Sequence, residues 1–170
     1  MMKALLVIDI QNGLTKKKAL HDFSLFVDTI NHSIKTCRET EDLLVFIQHN
    51  NKQLKEFTED WNIDDRIDKQ DNDLTIQKFH GNAFSETNIE TILRGKNINE
   101  IVVCGLVSHG CVKATCIGGL QLGFKTALLK NGHTNWDKNA EIKIKLVEKE
   151  LTEKGVEIVE AQLWWTKRQI

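Results

Sequence analysis

Apolar residues are grouped along this chain in short runs, which are separated by amphipathic segments. Four runs rich in β-branched side chains predict strands that are buried on both faces, and two weaker runs are further candidates. The four are ALLVI (4–8), LLVFI (43–47), EIVVCG (100–105) and KTALLK (125–130); the weaker two are LTIQK (74–78) and VEIVE (156–160). Near-continuous hydrophobicity of this kind is typical of a parallel sheet covered by helices on both sides.

Helical periodicity fills most of the intervals between these runs. Segment 22–39 repeats apolar residues at helical spacing, and segments 85–95, 110–123 and 139–155 read as helices, each with a glycine at or near its end. Strands that alternate with helices predict a three-layer α/β fold. The polar segment 50–73 is predicted to be an excursion over the surface, anchored by Phe57 and Trp61.

Length and composition exclude several classes of protein. A chain of 170 residues with 41% hydrophobic and 28% charged residues suits one globular domain, here 1–170. A net charge of -1 with dispersed lysines gives no electrostatic basis for binding nucleic acid or an anionic membrane. The N-terminal run lacks the features of a signal peptide, and no run approaches the roughly 18 apolar residues of a membrane span. We therefore expect a cytoplasmic protein whose four cysteines are reduced thiols.

Polar side chains follow the predicted strands at the edge where parallel sheets carry their active sites. Asp9 follows the first strand, His49 the second and Lys78 the third, and the loop 105–111 follows the fourth. In α/β sheets, ligands bind at the carboxyl ends of the strands, where the strand order reverses. The sequence therefore directs attention to these four positions.

The segment CGLVSHGCVKATC (104–116) holds three of the four cysteines, and its spacings argue against two kinds of site. Gly105 and Gly110 have the spacing of a phosphate-binding loop, but Cys111 and Val112 stand where lysine and serine or threonine are required. The C-x-x-C spacing of a redox pair does not occur.

A zinc site is also disfavoured by the positions of its candidate ligands. Cys104 lies inside a predicted strand, while Cys111 and Cys116 are five residues apart on one predicted helix. Residues at that spacing point about 140° apart around the helix, so one ion, even with His109 as a further ligand, reaches them with difficulty.

Cys111 differs from the other cysteines because we expect it in the first turn of a helix. The free amides and dipole of a helix N-terminus favour a thiolate, lower its pKa and stabilise an oxyanion. Lys78 and Asp9 would supply a cation and a proton acceptor. The alternative interpretation leaves Cys111 as a small helix-start residue, Lys78 as a solvated strand end and Asp9 as a turn former.

Three motifs, in order, resemble the isochorismatase-like cysteine hydrolases, a family that includes nicotinamidases, N-carbamoyl amidohydrolases and isochorismatase. They are LLVIDIQNGL (5–14), TIQKFHGNAFSETNIETIL (75–93) and IVVCGLVSHGCVKATCIGGLQLGF (101–124). The resemblance implies a six-stranded parallel sheet with helices on both sides, in a Rossmann-like arrangement. It also implies a catalytic triad of Asp9, Lys78 and Cys111.

The same resemblance implies a covalent mechanism for cleaving a small amide-type C–N bond. Cys111 would form a thioester, and backbone amides of Cys111 and of Val107 or Ser108 would hold the oxyanion. Members of the family have a non-proline cis peptide in this loop, which by position would join Val107 to Ser108. Substrate-pocket residues are expected at Gln11, His49, Phe79 and His109.

One departure from the family bears on metal binding. Nicotinamidases carry an Asp-x-His metal motif after the second strand, whereas this chain reads FIQHNN, with Ile47 in place of the aspartate and His49 as the histidine. We therefore expect no metal and no other cofactor, and a small molecule as the substrate.

Several alternatives stay open at the level of sequence. The alternatives are an isochorismatase that cleaves a vinyl ether, a non-catalytic binding domain, and a thiol sensor that uses Cys111. Trp164 and Trp165 either contribute to an interface, consistent with a homodimer or higher homo-oligomer, or pack on the chain's own core.

Overall fold

Six parallel strands form a single sheet in the order β3-β2-β1-β4-β5-β6. The computed structural model describes residues 1–166. The strands are β1 (Ala4–Ile8), β2 (Leu43–His49), β3 (Leu74–Lys78), β4 (Glu100–Leu106), β5 (Lys125–Thr134) and β6 (Glu157–Val159). The prediction of a three-layer α/β fold with a six-stranded parallel sheet is confirmed, because both faces of this sheet are covered by helices.

Four of the helices in residues 1–166 lie within the predicted segments, two short helices were not predicted, and one predicted helix differs in a way that concerns the site. They are α1 (Asn12–Thr15), α2 (Phe23–Glu39), α3 (Ile89–Gly95), α4 (Lys113–Gln121), α5 (Ala140–Lys154) and α6 (Ala161–Thr166), with a short 3-10 turn at Glu59–Trp61. The predicted helix 110–123 is divided: a wide π-type turn, Ser108–Val112, precedes α4 and is kinked at Gly110. Among residues 1–166, no helix combines the length and apolarity needed to cross a membrane.

Alternate residues of β1 pack into separate cores on the two faces of the sheet. Leu6 and Ile8 join residues of α3, α4 and α5, while Leu5 and Val7 join residues of α2 and α6. This arrangement explains why the central strand is apolar at every position, since neither face meets water. Burial of apolar surface on both faces, worth about 25 cal/mol per Å², is the main term holding the layers together.

The two tryptophans near the C-terminus belong to the second core. Trp164 is 2% and Trp165 5% exposed, and both pack with residues of the sheet and α2. Of the two predicted roles, the structure shows packing on the chain's own core. Oligomerisation stays a prediction, and the last four residues of the LWWTKRQI segment lie outside the described residues.

The excursion over 50–73 is attached by residues other than those expected. Leu54 and Ile67 are buried, at 2% and 4% exposure, whereas Phe57 is 90% exposed. The prediction of Phe57 as an anchor is therefore wrong. Trp61 does lie at a point of attachment, through its backbone carbonyl, which accepts bonds from the side chains of Gln11 and Gln48.

The strand order reverses between β1 and β4, and a glycine permits their close approach. Gly105 pairs with Ile8 in the parallel register and has a φ of 122°, a backbone conformation that residues other than glycine rarely adopt. A Cβ atom at position 105 would lie 2.0 Å from the carbonyl oxygen of Ile8. The crevice beyond these strand ends is where such sheets bind ligands.

Replacing Gly105 by alanine is expected to destabilise the protein by about 3 kcal/mol or more, because the steric clash adds to the strain of a positive φ. Urea-induced unfolding provides the measurement. Gly95→Ala is the matched control: a Cβ at Gly95 would meet nothing within 4 Å, and no positive φ opposes it. Equal stability of the two variants would show that the sheet relaxes around position 105.

Candidate active site

The ammonium group of Lys78 is the centre of a buried cluster at the carboxyl edge of the sheet. Lys78 is 0% exposed, and its Nζ lies 2.9 Å from Asp9 Oδ2, 2.8 Å from His49 Nδ1 and 3.3 Å from Cys111 Sγ. Nζ also donates to the carbonyl oxygen of His80 at 3.1 Å. The structure therefore brings together the three residues of the expected triad, with His49 as a fourth member.

The parallel sheet places these side chains next to one another. His49 and Lys78 are paired residues at the ends of β2 and β3. Asp9 directly follows β1 and has a left-handed backbone, with φ of 54°, and its amide donates to the carbonyl of Ile47 at 2.9 Å. Cys111 lies in the wide turn after β4. Residues from four separate segments thus meet because their strands end at the same edge.

Burial dominates the electrostatics of Asp9. Removal from water raises the pKa of this carboxyl group, while the ion pair and hydrogen bond with Lys78 act in the opposite direction. Asp9 is 2% exposed, and its second oxygen, Oδ1, accepts no hydrogen bond from residues 1–166. Asp9 is therefore a carboxylate that binds a proton more readily than one at the surface, with one oxygen free to do so.

The thiol of Cys111 has a pKa raised to about 11, chiefly by burial and then by the negative charge of Asp9, with Lys78 opposing both. This direction is opposite to the lowering expected from a helix N-terminus. The reason is positional, since Cys111 precedes the first residue of α4 and faces a carboxylate. The thiol is therefore protonated at neutral pH and needs a base to become nucleophilic.

His49 is neutral at physiological pH. Burial lowers its pKa to about 4, and the positive charges of Lys78 and His80 add to the effect. Because the ammonium of Lys78 can only donate, Nδ1 of His49 accepts, and the imidazole carries its hydrogen on Nε2. The ring is thus fixed as one tautomer, with an N–H donor on the side away from Lys78.

Asp9, His49 and Cys111 present an oxygen, a nitrogen and a sulfur within 4.8 Å of one another. Such a donor set suits a transition metal in other settings. Here the ammonium of Lys78 already contacts all three residues, and a metal cation would have to displace a buried positive charge. Ile47, fully buried on β2, adds no ligand. The residues present therefore fit an ammonium group better than a metal ion.

The loop after β4 contains a non-proline cis peptide, but one residue earlier than expected. It joins Leu106 to Val107, so the predicted position between Val107 and Ser108 is wrong. The turn begins directly after the last ladder pair of β4, in which Leu106 lies opposite Thr134. Among residues 1–166, the backbone N–H groups of Val107 and Ser108 donate no hydrogen bond to another backbone group, which leaves both as unused donors in this loop.

The structure corrects the expected role of Gln11. Its side chain is 0% exposed; Nε2 donates to the carbonyl oxygens of His49 and Trp61, and Oε1 accepts from the His49 amide at 2.9 Å. Since both ends of the amide are occupied by backbone, Gln11 holds the end of β2 and the excursion in place and does not line a pocket for substrate.

Phe79 and His109 lie at the periphery of the cluster. Phe79 follows Lys78 but is 67% exposed, so it forms no enclosed wall. His109 is partly exposed, and its Nε2 lies 3.5 Å from Asp137 Oδ2. Both stay accessible from solvent, and a role for either in binding substrate stays a prediction.

Two candidate functional residues are not predicted by any of the sequence patterns. His133 and Glu148 continue a chain of polar contacts from Ser108, and neither belongs to a motif that predicts a site. The predicted strand KTALLK ends at 130, while β5 continues to Thr134. The rule of strand ends would have pointed to His133 had the end of that strand been placed correctly.

Comparison with known proteins identifies related sequences and folds. The model of the isochorismatase domain matches residues 3–151. Streptothricin hydrolase of Streptomyces noursei is 24% identical over 140 residues, which are 80% of this chain and 51% of that protein. N-carbamoylsarcosine amidase of an Arthrobacter species is 36% identical over 63 residues, 37% of this chain and 24% of that protein. The chain thus covers about half or less of either relative.

The fold has close structural counterparts. A cysteine hydrolase from Pseudomonas syringae pv. phaseolicola superposes with a TM-score of 0.88 over 97% of this chain and 91% of that chain, at 16% sequence identity. At that level of identity the likeness establishes the fold alone, and the chemistry has to be argued from the residues of the cluster.

Proposed function

Because the chain belongs to the isochorismatase family, we propose that it is a metal-independent cysteine hydrolase that cleaves a small amide-type C–N bond through a thioester. The observation that carries this proposal is the contact of one buried ammonium, Lys78 Nζ, with both the carboxylate of Asp9 and the sulfur of Cys111. A nucleophile, a base and a cation within contact distance are the parts that covalent catalysis needs. One of the relatives is named N-carbamoylsarcosine amidase, and that name describes cleavage of a bond of this kind.

In the first step, Asp9 takes the proton of the Cys111 thiol, and Lys78 stabilises the thiolate that remains. The sulfur attacks the carbonyl carbon of the substrate, a C–S bond forms, and the carbonyl oxygen becomes an oxyanion. Backbone N–H groups of Cys111 and of Val107 or Ser108 hold that oxyanion. The raised pKa of Asp9 favours this transfer, because it makes the carboxylate a stronger base, whereas the raised pKa of Cys111 opposes it and makes the charge of Lys78 necessary to stabilise the thiolate.

In the second half, the oxyanion collapses and the C–N bond breaks. Asp9 returns its proton to the leaving nitrogen, which departs as ammonia or an amine and leaves a thioester on Cys111. Asp9 then removes a proton from water as the water attacks the thioester carbonyl. The C–S bond breaks, and Asp9 returns this proton to the Cys111 thiolate. The products are a carboxylic or carbamic acid and the free thiol, so that atoms and protons balance over the cycle.

The direction of the Cys111 pKa also bears on the thiol-sensor alternative. Redox-sensing cysteines react as exposed thiolates of low pKa. The thiol of Cys111 has a pKa of about 11 and becomes anionic only when Asp9 accepts its proton. This arrangement supports a nucleophile that is activated during the reaction and argues against a resting thiolate that senses oxidants.

The thioester provides a direct test of the proposed function. Acid quenching during turnover of a slow amide or carbamoyl substrate is expected to trap an acyl adduct, which intact-mass and peptide mass spectrometry would locate on Cys111. Hydroxylamine should remove the adduct. Turnover without any adduct on Cys111, under conditions where acylation is faster than hydrolysis, would contradict the thioester mechanism.

We further propose that His49 binds substrate through Nε2–H, the donor left after Lys78 occupies Nδ1. His49→Asn keeps an acceptor near the Nδ1 position and removes this donor. We expect KM to rise about 3–10-fold and kcat to change less than about 3-fold. The reason is that the lost hydrogen bond is made equally in the ground state and in the transition state. Steady-state kinetics would check this.

The matched control for His49→Asn is His80→Asn, which replaces a neighbouring imidazole whose Nε2 contacts Glu86.

Because the pKa of His49 is about 4, kcat/KM of the wild-type protein should show no inflection from His49 between pH 5 and 8. A fall in kcat at unchanged KM would instead assign His49 to the chemical step and contradict a role in binding.

A further inference from the structure

A second chain of polar groups lies behind the loop that follows β4. Ser108 Oγ lies 2.8 Å from His133 Nδ1, and His133 Nε2 lies 3.0 Å from Glu148 Oε1. Ser108 is 0% and His133 2% exposed, while the side chain of Glu148 is 22% exposed. The chain of contacts connects the loop with the end of β5 and with α5. None of these contacts has a part in the steps described above.

The chain of contacts has a direction. An ionised carboxylate only accepts hydrogen bonds, so Nε2 of His133 carries the hydrogen that is donated to Glu148. In a neutral imidazole, Nδ1 then accepts, and the hydroxyl of Ser108 is the donor. Glu148 therefore fixes the tautomer and orientation of His133, and His133 fixes the hydroxyl of Ser108.

This serine–histidine–carboxylate arrangement does not form a second nucleophilic site. The hydroxyl of Ser108 is buried and directed towards His133 on β5, whereas the proposed reaction uses only the backbone of this loop. What the contacts do hold is the backbone at Ser108. The amides of Val107 and Ser108, which donate no backbone hydrogen bond within residues 1–166, belong to the same stretch of backbone.

We propose that Ser108, His133 and Glu148 are positioning residues that hold the loop 107–111 in the geometry that binds the oxyanion. The inference rests on the proposed function, because the oxyanion arises only in that reaction. Preorganised donors stabilise developing charge only when they are held in place, and a displacement near 1 Å costs about 10²-fold in rate. Their contribution should therefore be visible in kcat rather than in KM.

Four variants separate the two hydrogen bonds. Ser108→Ala removes the hydroxyl, and Ser108→Thr restores it. His133→Gln places a polar group near the Nε2 position and keeps only the contact with Glu148, whereas His133→Asn places one near Nδ1 and keeps only the contact with Ser108. Glu141→Gln is the control: Glu141 lies on α5, lines the same cavity of about 430 Å³ as Glu148, and pairs with Lys145.

We expect Ser108→Ala and His133→Gln to lower kcat about 10–100-fold while KM changes less than about 3-fold. Ser108→Thr should retain most of the activity and Glu141→Gln all of it. His133→Asn should lose less than His133→Gln, because it keeps the bond to Ser108 but is no longer oriented by Glu148. Alkylation of Cys111 by iodoacetamide forms no oxyanion, so its rate should stay within about 3-fold of wild type. If kcat is unchanged in the folded variants, the three residues have a merely structural role and the proposal is overturned.

Amide hydrogen exchange gives a readout that needs no substrate. Loss of the buried hydrogen bond should accelerate exchange in peptides spanning 106–112 by about 10-fold or more in Ser108→Ala, but not in Glu141→Gln. Unchanged exchange would overturn the anchoring of the loop. Alkylation that slows by the same factor as kcat would also overturn the proposal, because it would place the effect at the sulfur.

These outcomes are distinguishable from failure of the proposed function. If Cys111→Ala retains hydrolysis, the thioester mechanism fails, and hydrogen exchange still decides whether the three residues anchor the loop. If Cys111→Ala is inactive while Ser108→Ala is fully active and exchanges as wild type does, the mechanism stands and the positioning role is refuted.

Discussion

Cys111→Ala is expected to lower the rate of amide hydrolysis by about 10⁴-fold or more, because no other group in the cluster can form the thioester. The measurement is release of ammonia or amine from a panel of small amides and carbamoyl compounds. Any compound that the wild-type protein hydrolyses then serves for kcat and KM. The loss should lie in kcat, since the substrate can still occupy the site.

Cys116→Ala is the matched control for this substitution. Cys116 lies on α4, is 0% exposed and belongs to the apolar core, so its replacement should cost some stability and leave hydrolysis nearly unchanged. Cys111 is the partly exposed thiol, whereas Cys37, Cys104 and Cys116 are buried. One alkylated cysteine in the native protein is therefore expected. Hydrolysis that survives in Cys111→Ala would refute the proposed nucleophile.

Lys78→Met is expected to lower kcat by about 10³-fold and to destabilise the protein by about 3–5 kcal/mol at neutral pH. The substitution retains the volume of the side chain but leaves the buried carboxylate of Asp9 without its counter-charge. The pKa of Asp9, already raised by burial, should rise further. Urea unfolding and steady-state kinetics measure the two effects.

The destabilisation of Lys78→Met should depend on pH. A carboxyl group whose folded pKa exceeds its unfolded value makes the folded state bind more protons, so stability falls as the pH rises from the unfolded pKa to the folded one. The variant should therefore be closest to wild type near pH 4 and furthest from it at pH 7–8. A destabilisation that does not vary with pH would place the cause in packing rather than in charge.

The double variant Asp9→Asn/Lys78→Met is the sharpest control for this pair. It removes both charges, so much of the lost stability should return, because exchanging a buried ion pair for neutral groups is often tolerated. Activity should not return, since the base is absent. An active double variant would show that neither residue takes part in the chemistry.

Much of the architecture could be predicted from the sequence because its causes are local. The run ALLVI is apolar at each position, and the structure buries it on both faces as β1. The family assignment drawn from three motifs is confirmed by the match over residues 3–151. Asp9, His49 and Lys78 came from a geometric rule about strand ends, which needs only the positions of the strands. Their roles in the chemistry stay predictions.

Features that depend on contacts between distant segments were missed or placed wrongly. The expected lowering of the Cys111 pKa assumed a helix start, whereas burial and Asp9 raise it. Gln11 was expected in a pocket, although the backbone of His49 and the excursion occupy its amide. The cis peptide was placed one residue late because counting along a motif does not show where the β4 ladder ends.

The layered α/β fold, the family, and the set of polar residues at one edge of the sheet can all be read from the amino-acid sequence. These follow from hydrophobic periodicity and from motifs, which are properties of neighbouring residues. The direction in which each pKa is shifted and the contacts behind the loop at Ser108 become visible in the folded chain. Protonation depends on burial and on charges brought within a few ångströms from four segments, and contacts such as that of Ser108 with His133 join residues far apart in the chain.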